Sequence, residues 1–385
     1  MLAAARTIRV GELVLVLSDG SHHLLRGELP GPRASLVVHR QHLARRMAAG
    51  GLLGFCEAYL DEDWSSPDRS ALFDLALLNR RELENMLAGR WWSRLFALVA
   101  HGFRRNSRAG SRRNIARHYD LGNDFYRQWL DSSMTYSSGI FADPKTDVDL
   151  EAAQRRKYAA IVEALDIRPG HRLLEIGCGW GGFAVFAAGE IGAHTTAVTI
   201  SRAQYDEAAR RIAEAGLNDR IALRLADYRD LRGSYDRVVS IEMFEAVGQT
   251  YWPVYFASLR DRLEPGGQAL LQIITIAEEC WADYRRNPDF IQTHVFPGGM
   301  LPTLDVLRAE TDRAGLAWQS CRGFGSDYAR TLELWQRRFQ HAWPEIASQG
   351  FDARFKRTWE LYLDYCAAGF RAKTTDVVHL RLDRP

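Results

Sequence analysis

Residues Leu173–Gly182 read LLEIGCGWGG, an apolar run that enters a glycine-rich turn. Glycine lacks a Cβ atom, so the backbone can turn sharply there and approach a ligand closely. The helical pattern FAVFAA follows at residues 183–188. A strand, a glycine turn and a helix in this order predict a nucleotide-binding unit.

Four later runs repeat the strand-like pattern, and helical segments separate them. They are residues 194–201 (HTTAVTIS), 220–231 (RIALRLADYRDL), 235–248 (YDRVVSIEMFEAVG) and 266–276 (GGQALLQIITI). Such alternation predicts a parallel, doubly wound sheet. Two late strands, at 316–325 and 375–382, bring the total to seven. The sequence therefore predicts an α/β protein with the Rossmann-like, mostly parallel seven-stranded sheet of class I S-adenosylmethionine methyltransferases.

The glycine spacing favours S-adenosylmethionine over NAD. A dinucleotide fingerprint reads GxGxxG, with an acidic residue about 20 positions later. Here the turn reads GxGxGG, and the second strand ends without an acid. The predicted contacts to the amino-acid part of the cofactor lie around this turn: Glu175, Gly177, Gly179 and Gly181. The predicted adenine contacts follow the third strand: Asp227, Tyr228 and Arg229.

A chain of 385 residues is long enough for two domains. Residues 1–105 contain the strand-like runs LVLVLSDG (13–20) and SLVVHR (35–40), and a helix start at Ser65-Ser66-Pro67 or Asp68. They predict a small mixed α/β domain, with lipid contact or dimerisation as its candidate roles. Residues 106–385 would form the catalytic domain.

Five widely spaced cysteines without a CxxC pair argue against a disulfide framework or a zinc site. We expect no metal and a reducing compartment. The first residues, MLAAARTIRVGE, lack the sustained apolar run of a secretory signal. No stretch approaches the ~18–20 apolar residues of a membrane-spanning helix.

The segment from Arg90 to Tyr119 contains eight arginines and no acidic residue, and it includes the pair Trp91-Trp92 with Leu95 and Phe96. Arginines beside tryptophans suit an anionic membrane surface, since guanidinium groups meet headgroups and indoles lie in the interface. A solvated charge run beside a core helix is the plainer interpretation. Nucleic acid is a third, because any arginine cluster can meet phosphate. We find no base-reading or base-flipping feature, so we expect no nucleic-acid partner.

Several separated stretches resemble cyclopropane fatty acid synthases. They are 118–138 (HYDLGNDFYRQWLDSSMTYSS), 173–182, 198–204 (VTISRAQ), 227–231 (DYRDL), 239–248 (VSIEMFEAVG), 290–302 (FIQTHVFPGGMLP), 324–332 (FGSDYARTL) and 365–372 (YCAAGFRA). The resemblance covers residues 110–385 closely and the N-terminal block more loosely. It implies methyl transfer to the cis double bond of an acyl chain in a membrane phospholipid. It also implies a cytoplasmic protein associated peripherally with the inner face of the membrane; a homodimer stays open.

The resemblance assigns site residues by position. Further cofactor contacts would be Tyr136, Ser137, Thr199, Ile200, Ser201 and Gln204. Glu245 and Tyr328 match positions that surround a bound bicarbonate ion, and Ser138, Gln272 and Ile274 match neighbouring positions of that site. Cys366 matches a cysteine once assigned as catalytic, but a buried structural thiol explains it equally well.

The implied chemistry explains the aromatic segment at 118–138. An alkene is a poor nucleophile, so the donor methyl must be held in line with it. Transfer leaves a carbocation, which water would quench and aromatic faces stabilise. A helical lid bearing Tyr119, Phe125, Trp129 and Tyr136 would cover the cofactor and wall an acyl tunnel; core packing is the plainer alternative. Bicarbonate would then accept the proton, because a protein carboxylate so close to the cation could be alkylated.

Three departures from the family pattern lie where the fate of the cation is decided. Ser138 replaces a common cysteine, Gln272 a histidine, and Ala246 a frequent histidine. Glutamine can donate a hydrogen bond but cannot titrate. Loss of a proton from the new methyl group gives a cyclopropane, whereas loss from a neighbouring carbon gives a methylated or methylene-bearing alkene, and hydride addition gives a methyl branch. A product without a ring is therefore the alternative.

Overall fold

The computed structural model describes the backbone of residues 7–87 and 121–385, and their side chains except those of residues 84–87. The strands in these ranges are β1 (Val10–Val16), β2 (His22–Arg26), β3 (Leu29–Val38), β4 (Trp64–Ser65), β5 (Arg172–Ile176), β6 (His194–Thr199), β7 (Ile221–Leu225), β8 (Tyr235–Ile241), β9 (Leu263–Ile276), β10 (Ala317–Gly323) and β11 (Thr375–Asp383).

The α-helices are α1 (Leu43–Leu60), α2 (Arg69–Leu78), α3 (Arg80–Leu87), α4 (Asn123–Arg127), α5 (Leu150–Ala164), α6 (Gly182–Phe186), α7 (Arg202–Glu214), α8 (Trp252–Arg262), α9 (Glu278–Tyr284), α10 (Leu304–Ala314), α11 (Gly325–His341), α12 (Trp343–Ser348) and α13 (Ala353–Arg371). Short 3-10 turns follow β7 and β8, and a π-turn continues α6. No helix in this part of the chain is both long and apolar enough to cross a membrane.

The larger sheet has seven strands in the order β10-β11-β9-β8-β5-β6-β7. Strands β7, β6, β5, β8 and β9 pair in parallel, and β11 pairs antiparallel to β9 and to β10. The predicted class I methyltransferase fold is confirmed. Leu173, Leu174 and Ile176 of β5 are all buried because helices cover both faces of this central strand.

The smaller sheet has the order β2-β1-β3-β4 and belongs to the N-terminal block. Helix α2 packs against β3, and Asp68 accepts a hydrogen bond from the Ala71 backbone N–H at 2.9 Å. The predicted helix start at Asp68 is therefore confirmed, since this side chain satisfies an amide that has no partner within the helix. The predicted domain boundary at residue 105 lies outside the described residues.

Helix α2 also packs on α13 of the larger unit. Arg69 Nε donates to Asp364 Oδ2 at 2.8 Å, and Arg371 NH2 lies 2.9 Å from Asp74 Oδ1. All four side chains are mostly shielded from solvent, and burial raises the pKa of Asp364 to about 6. The paired charges hold the N-terminal sheet against the catalytic unit, so its residues reach the site described next.

Candidate active site

The glycine turn after β5 has the backbone geometry that its sequence predicts. Gly177 has φ = +83°, and a Cβ atom placed there would lie 2.7 Å from Met243 Cγ. A larger residue at this position would therefore be strained and would displace the methionine. Gly181 also has positive φ and precedes α6, where an added Cβ would meet Ala208 at 3.3 Å. Its role is close helix packing.

One cavity of about 1050 Å³ adjoins the turn. At one end it is lined by the turn itself and by the carboxyl ends of β6, β7 and β8. At the other end it is walled by apolar side chains of the N-terminal block: Ile8, Leu13, Leu15, Leu36, Leu72, Phe73 and Leu75. This volume is at the upper limit of the roughly 300–1,000 Å³ found for ligand pockets, so it exceeds what a nucleotide alone requires.

Most of the predicted cofactor residues line this cavity. They are Tyr136, Ser137, Glu175, Gly177, Gly179, Thr199, Ile200, Gln204, Asp227, Tyr228 and Arg229. Gly181 and Ser201 do not. Ser201 instead caps α7, because its side chain accepts a hydrogen bond from the Gln204 N–H at 3.3 Å. Gly181 and Ser201 shape the backbone beside the cavity, and their contact with the cofactor stays a prediction.

The loop after β7 is stiffened by a salt bridge. Asp227 accepts from Arg229 Nε at 2.8 Å and from its NH2 at 2.6 Å. The same guanidinium lies 5.5 Å from the ring centre of Tyr228, and burial raises the pKa of Tyr228 to about 12. A neutral aromatic ring held in this way is suited to stacking on an adenine.

A buried lysine and a buried glutamate flank the turn. Lys157 Nζ donates to Ser137 Oγ at 2.6 Å, and burial lowers the pKa of this lysine to about 8. Burial also raises the pKa of Glu175 to about 8, while the charge of Lys157 opposes that rise. Glu175 Oε2 has no hydrogen-bond partner among the described residues, so it is available to a donor from the bound ligand.

The cavity is also lined by a carboxylate that the sequence analysis did not select, that of Glu242. It accepts three hydrogen bonds: from the Ser138 backbone N–H at 2.9 Å, from Gln272 Nε2 at 2.7 Å and from the Tyr328 hydroxyl at 2.5 Å. Glu242 lines the cavity, whereas Ser138 and Gln272 are completely buried behind it. Burial raises the pKa of Glu242 in opposition to these hydrogen bonds.

Gln272 is oriented by a second buried side chain. Its Oε1 lies 2.9 Å from His379 Nε2 on β11, and burial lowers the pKa of His379 to about 3. The imidazole is therefore neutral, and Nε2 must carry its proton because an amide oxygen only accepts. This contact directs the amide nitrogen of Gln272 toward Glu242. Gln272 and Ser138 position Glu242 and do not themselves line the cavity.

Glu245, the predicted bicarbonate partner, also faces the cavity. Its Oε1 accepts from the Ile274 backbone N–H at 2.6 Å, and its Oε2 has no partner among the described residues. Burial, reinforced by the neighbouring charge of Glu242, raises the pKa of Glu245 to about 8. Two acidic groups at one site favour a shared single proton, and Glu245 is the group that retains it at neutral pH.

The donors that could hold the expected bicarbonate ion already have partners. Ser138 N, Gln272 Nε2 and Tyr328 OH, three donors that could hold it, are all bound to Glu242, and Ile274 N is bound to Glu245. The residues around Glu242 therefore do not fit a separate anion as they are arranged. Among the described residues, no group of acidic, histidine and cysteine side chains could hold a metal ion.

Tyrosine and cysteine side chains form the wall opposite the strand ends. Tyr136 and Tyr362 share a hydrogen bond of 2.7 Å, and Tyr328 stacks on Phe370 with 4.5 Å between ring centres. Cys366 lines the cavity, but burial raises the pKa of its thiol. A thiol of this kind is poorly nucleophilic, which favours the structural interpretation of Cys366.

The residues predicted to form an aromatic lid lie in different environments. Tyr136 lines the cavity, but Phe125 and Trp129 are completely buried and do not. They pack edge-on against Trp359, at 5.0 and 5.9 Å between ring centres. The core interpretation is therefore right for these two residues. Tyr119 and the arginine segment 90–119 lie outside the described residues, with Trp91, Trp92, Leu95 and Phe96.

Comparison with known proteins agrees with this geometry. The chain is 39% identical over 380 residues to tuberculostearic acid methyltransferase UfaA1 of Mycobacterium tuberculosis, over 97% of this chain and 88% of that protein. It is 37% identical over 340 residues to cyclopropane-fatty-acyl-phospholipid synthase of Escherichia coli, over 88% and 85%. A structure of mycolic acid cyclopropane synthase CmaA1 complexed with SAH and CTAB matches with TM-score 0.65 and 27% identity, over 71% of this chain and 98% of that one.

The sheet, the glycine turn and the adjoining cavity define an S-adenosylmethionine-dependent methyltransferase. A family model described as mycolic acid cyclopropane synthetase matches residues 106–380. The chain belongs to this family, and the resemblance to cyclopropane fatty acid synthases is confirmed.

Proposed function

We propose that this protein transfers the methyl group of S-adenosylmethionine to the cis double bond of an unsaturated acyl chain in a membrane phospholipid and closes a cyclopropane ring. The observation that carries the proposal is that one continuous cavity is lined by the glycine turn, by Glu242 and Tyr328, and by apolar side chains of the N-terminal block. One end suits the cofactor and the other suits a hydrocarbon chain.

The middle of the cavity suits the chemistry of a carbocation. The rings of Tyr136, Tyr328, Phe296 and Tyr362 all line it, and aromatic faces attract a cation without reacting with it. The ionised form of Glu242 adds a negative charge near the same place. A site built in this way stabilises positive charge on substrate carbon while apolar walls exclude water.

The N-terminal block would hold the far end of the acyl chain. Leu13, Leu15, Leu36 and Leu72 are nearly inaccessible to solvent, yet they line the cavity. This extends the role expected for residues 1–105 from membrane contact or dimerisation to substrate binding. A homodimer stays a prediction.

The arginine segment 90–119 supports a peripheral association with an anionic membrane surface. Its eight arginines and paired tryptophans suit lipid headgroups and the membrane interface, as their sequence indicates. We propose that the protein acts at the inner face of the cell membrane. The relative from Escherichia coli is named for a fatty-acyl-phospholipid product, which supports this substrate class.

A methyl-branched or methylene-bearing product is the second candidate. The relative with 39% identity is named a tuberculostearic acid methyltransferase and not a cyclopropane synthase. The hydrogen-bonded pair of Glu242 and Gln272 also changes the polar surroundings in which the cation loses its proton. Which carbon loses that proton decides between a ring and an alkene. A saturated branch would further require a reductant.

The test uses purified protein, S-adenosylmethionine labelled in its methyl group, and vesicles of unsaturated phospholipid. Label in the acyl chains supports the proposal, and vesicles of saturated phospholipid are the matched control. Label only in water-soluble compounds or in RNA refutes it. Proton NMR of the released fatty acids then distinguishes the ring from the branch.

A further inference from the structure

We propose that the Glu242 carboxylate takes the place expected for bicarbonate and is itself the base that accepts the proton from the transferred methyl group. This inference rests on the proposed function and names the base of that reaction. It is carried by the position of Glu242, which lies between three buried donors and the cavity.

The donors come from three separate parts of the chain. Ser138 is the last residue of the aromatic segment 118–138, Gln272 lies on β9, and Tyr328 lies on α11. A carboxylate has about four lone-pair positions, so three hydrogen bonds leave capacity that faces the cavity. An anion that enters from the cavity would meet the negative Glu242 before it reached these donors. The arrangement is complete without a bicarbonate ion.

The backbone at Glu242 is held in an unfavourable conformation. Its φ is +48°, in the left-handed region, which is unfavourable for a residue with a Cβ atom. The Glu242 N–H donates to the Gln272 carbonyl at 2.8 Å and fixes this conformation at the carboxyl end of β8. Strain that the surrounding structure maintains is typical of functional positions, and here it directs the carboxylate into its set of donors.

The division of labour between the two glutamates follows from their contacts. Glu242 accepts three hydrogen bonds. The Glu245 carboxyl accepts one, from the Ile274 backbone N–H, and its Oε2 has no partner among the described residues. Hydrogen bonds to a carboxylate favour its ionised form. Glu242 is therefore the member of the pair whose ionised form is better stabilised, which suits a group that accepts a proton, and Glu245 is the neutral neighbour.

The proposed step balances without a further reactant. A C–H bond of the transferred methyl group breaks, and its proton moves to a Glu242 oxygen. The electron pair of that bond forms the C–C bond to the cationic carbon and closes the ring. The three donors also draw electron density from the carboxylate, which opposes its alkylation by the cation. Such alkylation was the reason for expecting bicarbonate, and not a protein carboxylate, from the sequence.

The experiment measures lipid methylation in buffer depleted of carbon dioxide and bicarbonate, with and without added bicarbonate. Four proteins are compared: wild type, Glu242→Gln, Glu242→Gly and the control Glu163→Gln, which changes an exposed glutamate on α5. SAH binding, measured by calorimetry, must be equal in all four. We expect wild type and control to be independent of bicarbonate and Glu242→Gln to lose about 10²–10⁴-fold in rate.

Glu242→Gly relieves the backbone strain and vacates the position between the donors. We therefore expect added bicarbonate to restore a measurable part of its rate, while Glu242→Gln, whose amide still fills the position, is not rescued. The inference is overturned if wild-type activity falls when bicarbonate is removed, or if Glu242→Gln keeps the wild-type rate. A wild-type protein that labels no lipid under either condition instead contradicts the proposed function.

Discussion

Replacement of Glu245 by glutamine tests the electrostatics of the paired glutamates. Burial and the charge of Glu242 raise the pKa of Glu245 to about 8, from an ordinary value of 4.5. Between these two values the folded carboxyl retains a proton that the unfolded chain has released. The folded state therefore loses stability as the pH rises through this window, and the loss ends once the folded carboxyl also ionises near pH 8.

The size of the effect follows from one proton. A difference of one bound proton changes the free energy of unfolding by about 1.4 kcal/mol per pH unit. Over a window of about two pH units below pH 8, Glu245 should lower wild-type stability by about 2.5 kcal/mol. Glutamine cannot ionise, so Glu245→Gln should remove this contribution. The buried Glu175 titrates in both proteins and does not affect the difference between them.

Urea unfolding followed by tryptophan fluorescence at a series of pH values measures this difference. We expect the unfolding free energy of Glu245→Gln to fall less steeply with rising pH than that of wild type. Glu163→Gln, an exposed substitution, should follow the wild-type curve. If wild type and Glu245→Gln gave parallel curves, the proton would not be held by Glu245, and its assignment as the neutral partner of Glu242 would be refuted.

Three further predictions concern the two ends of the cavity and the arginine segment. Gly177→Ala should weaken SAH binding at least about tenfold, since positive φ costs about 1–2 kcal/mol and Met243 must move. Calorimetry compares it with the control Gly216→Ala, at a glycine that also has positive φ but has open space around it. Equal SAH affinities of the two variants would contradict the prediction. Leu72→Trp should reduce methylation of long acyl chains relative to short ones because it fills the N-terminal end of the cavity, whereas Leu78→Trp, on the exposed face of the same helix, should not. Mass spectrometry of vesicles that contain both chain lengths measures this ratio. An unchanged ratio for Leu72→Trp would show that the N-terminal block does not bind substrate. Replacing four arginines of the segment by serine should weaken sedimentation of the protein with anionic vesicles at low salt; they are Arg104, Arg105, Arg112 and Arg113. Unchanged sedimentation would refute their membrane role.

Much of the fold could be predicted from the sequence because buried strands have a strong local signal. The five parallel strands lie where apolar runs precede glycine or polar turns, as at Leu173–Gly182. Helix α1 was not predicted, because Gly50 and Gly51 interrupt its pattern and the helix is kinked at Gly51.

The candidate site was predicted less completely, because its key contacts join distant residues. Glu242 lies within a motif that was recognised, but only the pairing of β8 with β9, where Ile241 is opposite Gln272, brings its carboxylate to the amide. A usable signal existed in the sequence: an acidic residue at a strand end beside a glutamine that replaces a histidine on the next strand. The prediction that Phe125 and Trp129 belong to a lid was wrong because the sequence does not show their packing partner. That partner, Trp359, is more than two hundred residues away along the chain.

The central claim is that an acyl alkene receives the methyl group and then loses a proton from it. The direct test supplies S-adenosylmethionine with a trideuterated methyl group and unsaturated phospholipid vesicles, in buffer free of bicarbonate, and analyses the acyl chains by mass spectrometry. We predict a cyclopropane carbon that carries two of the three deuterons, because one has been lost to Glu242. Retention of all three deuterons would contradict ring closure, and lipid without any deuterium would contradict the account as a whole.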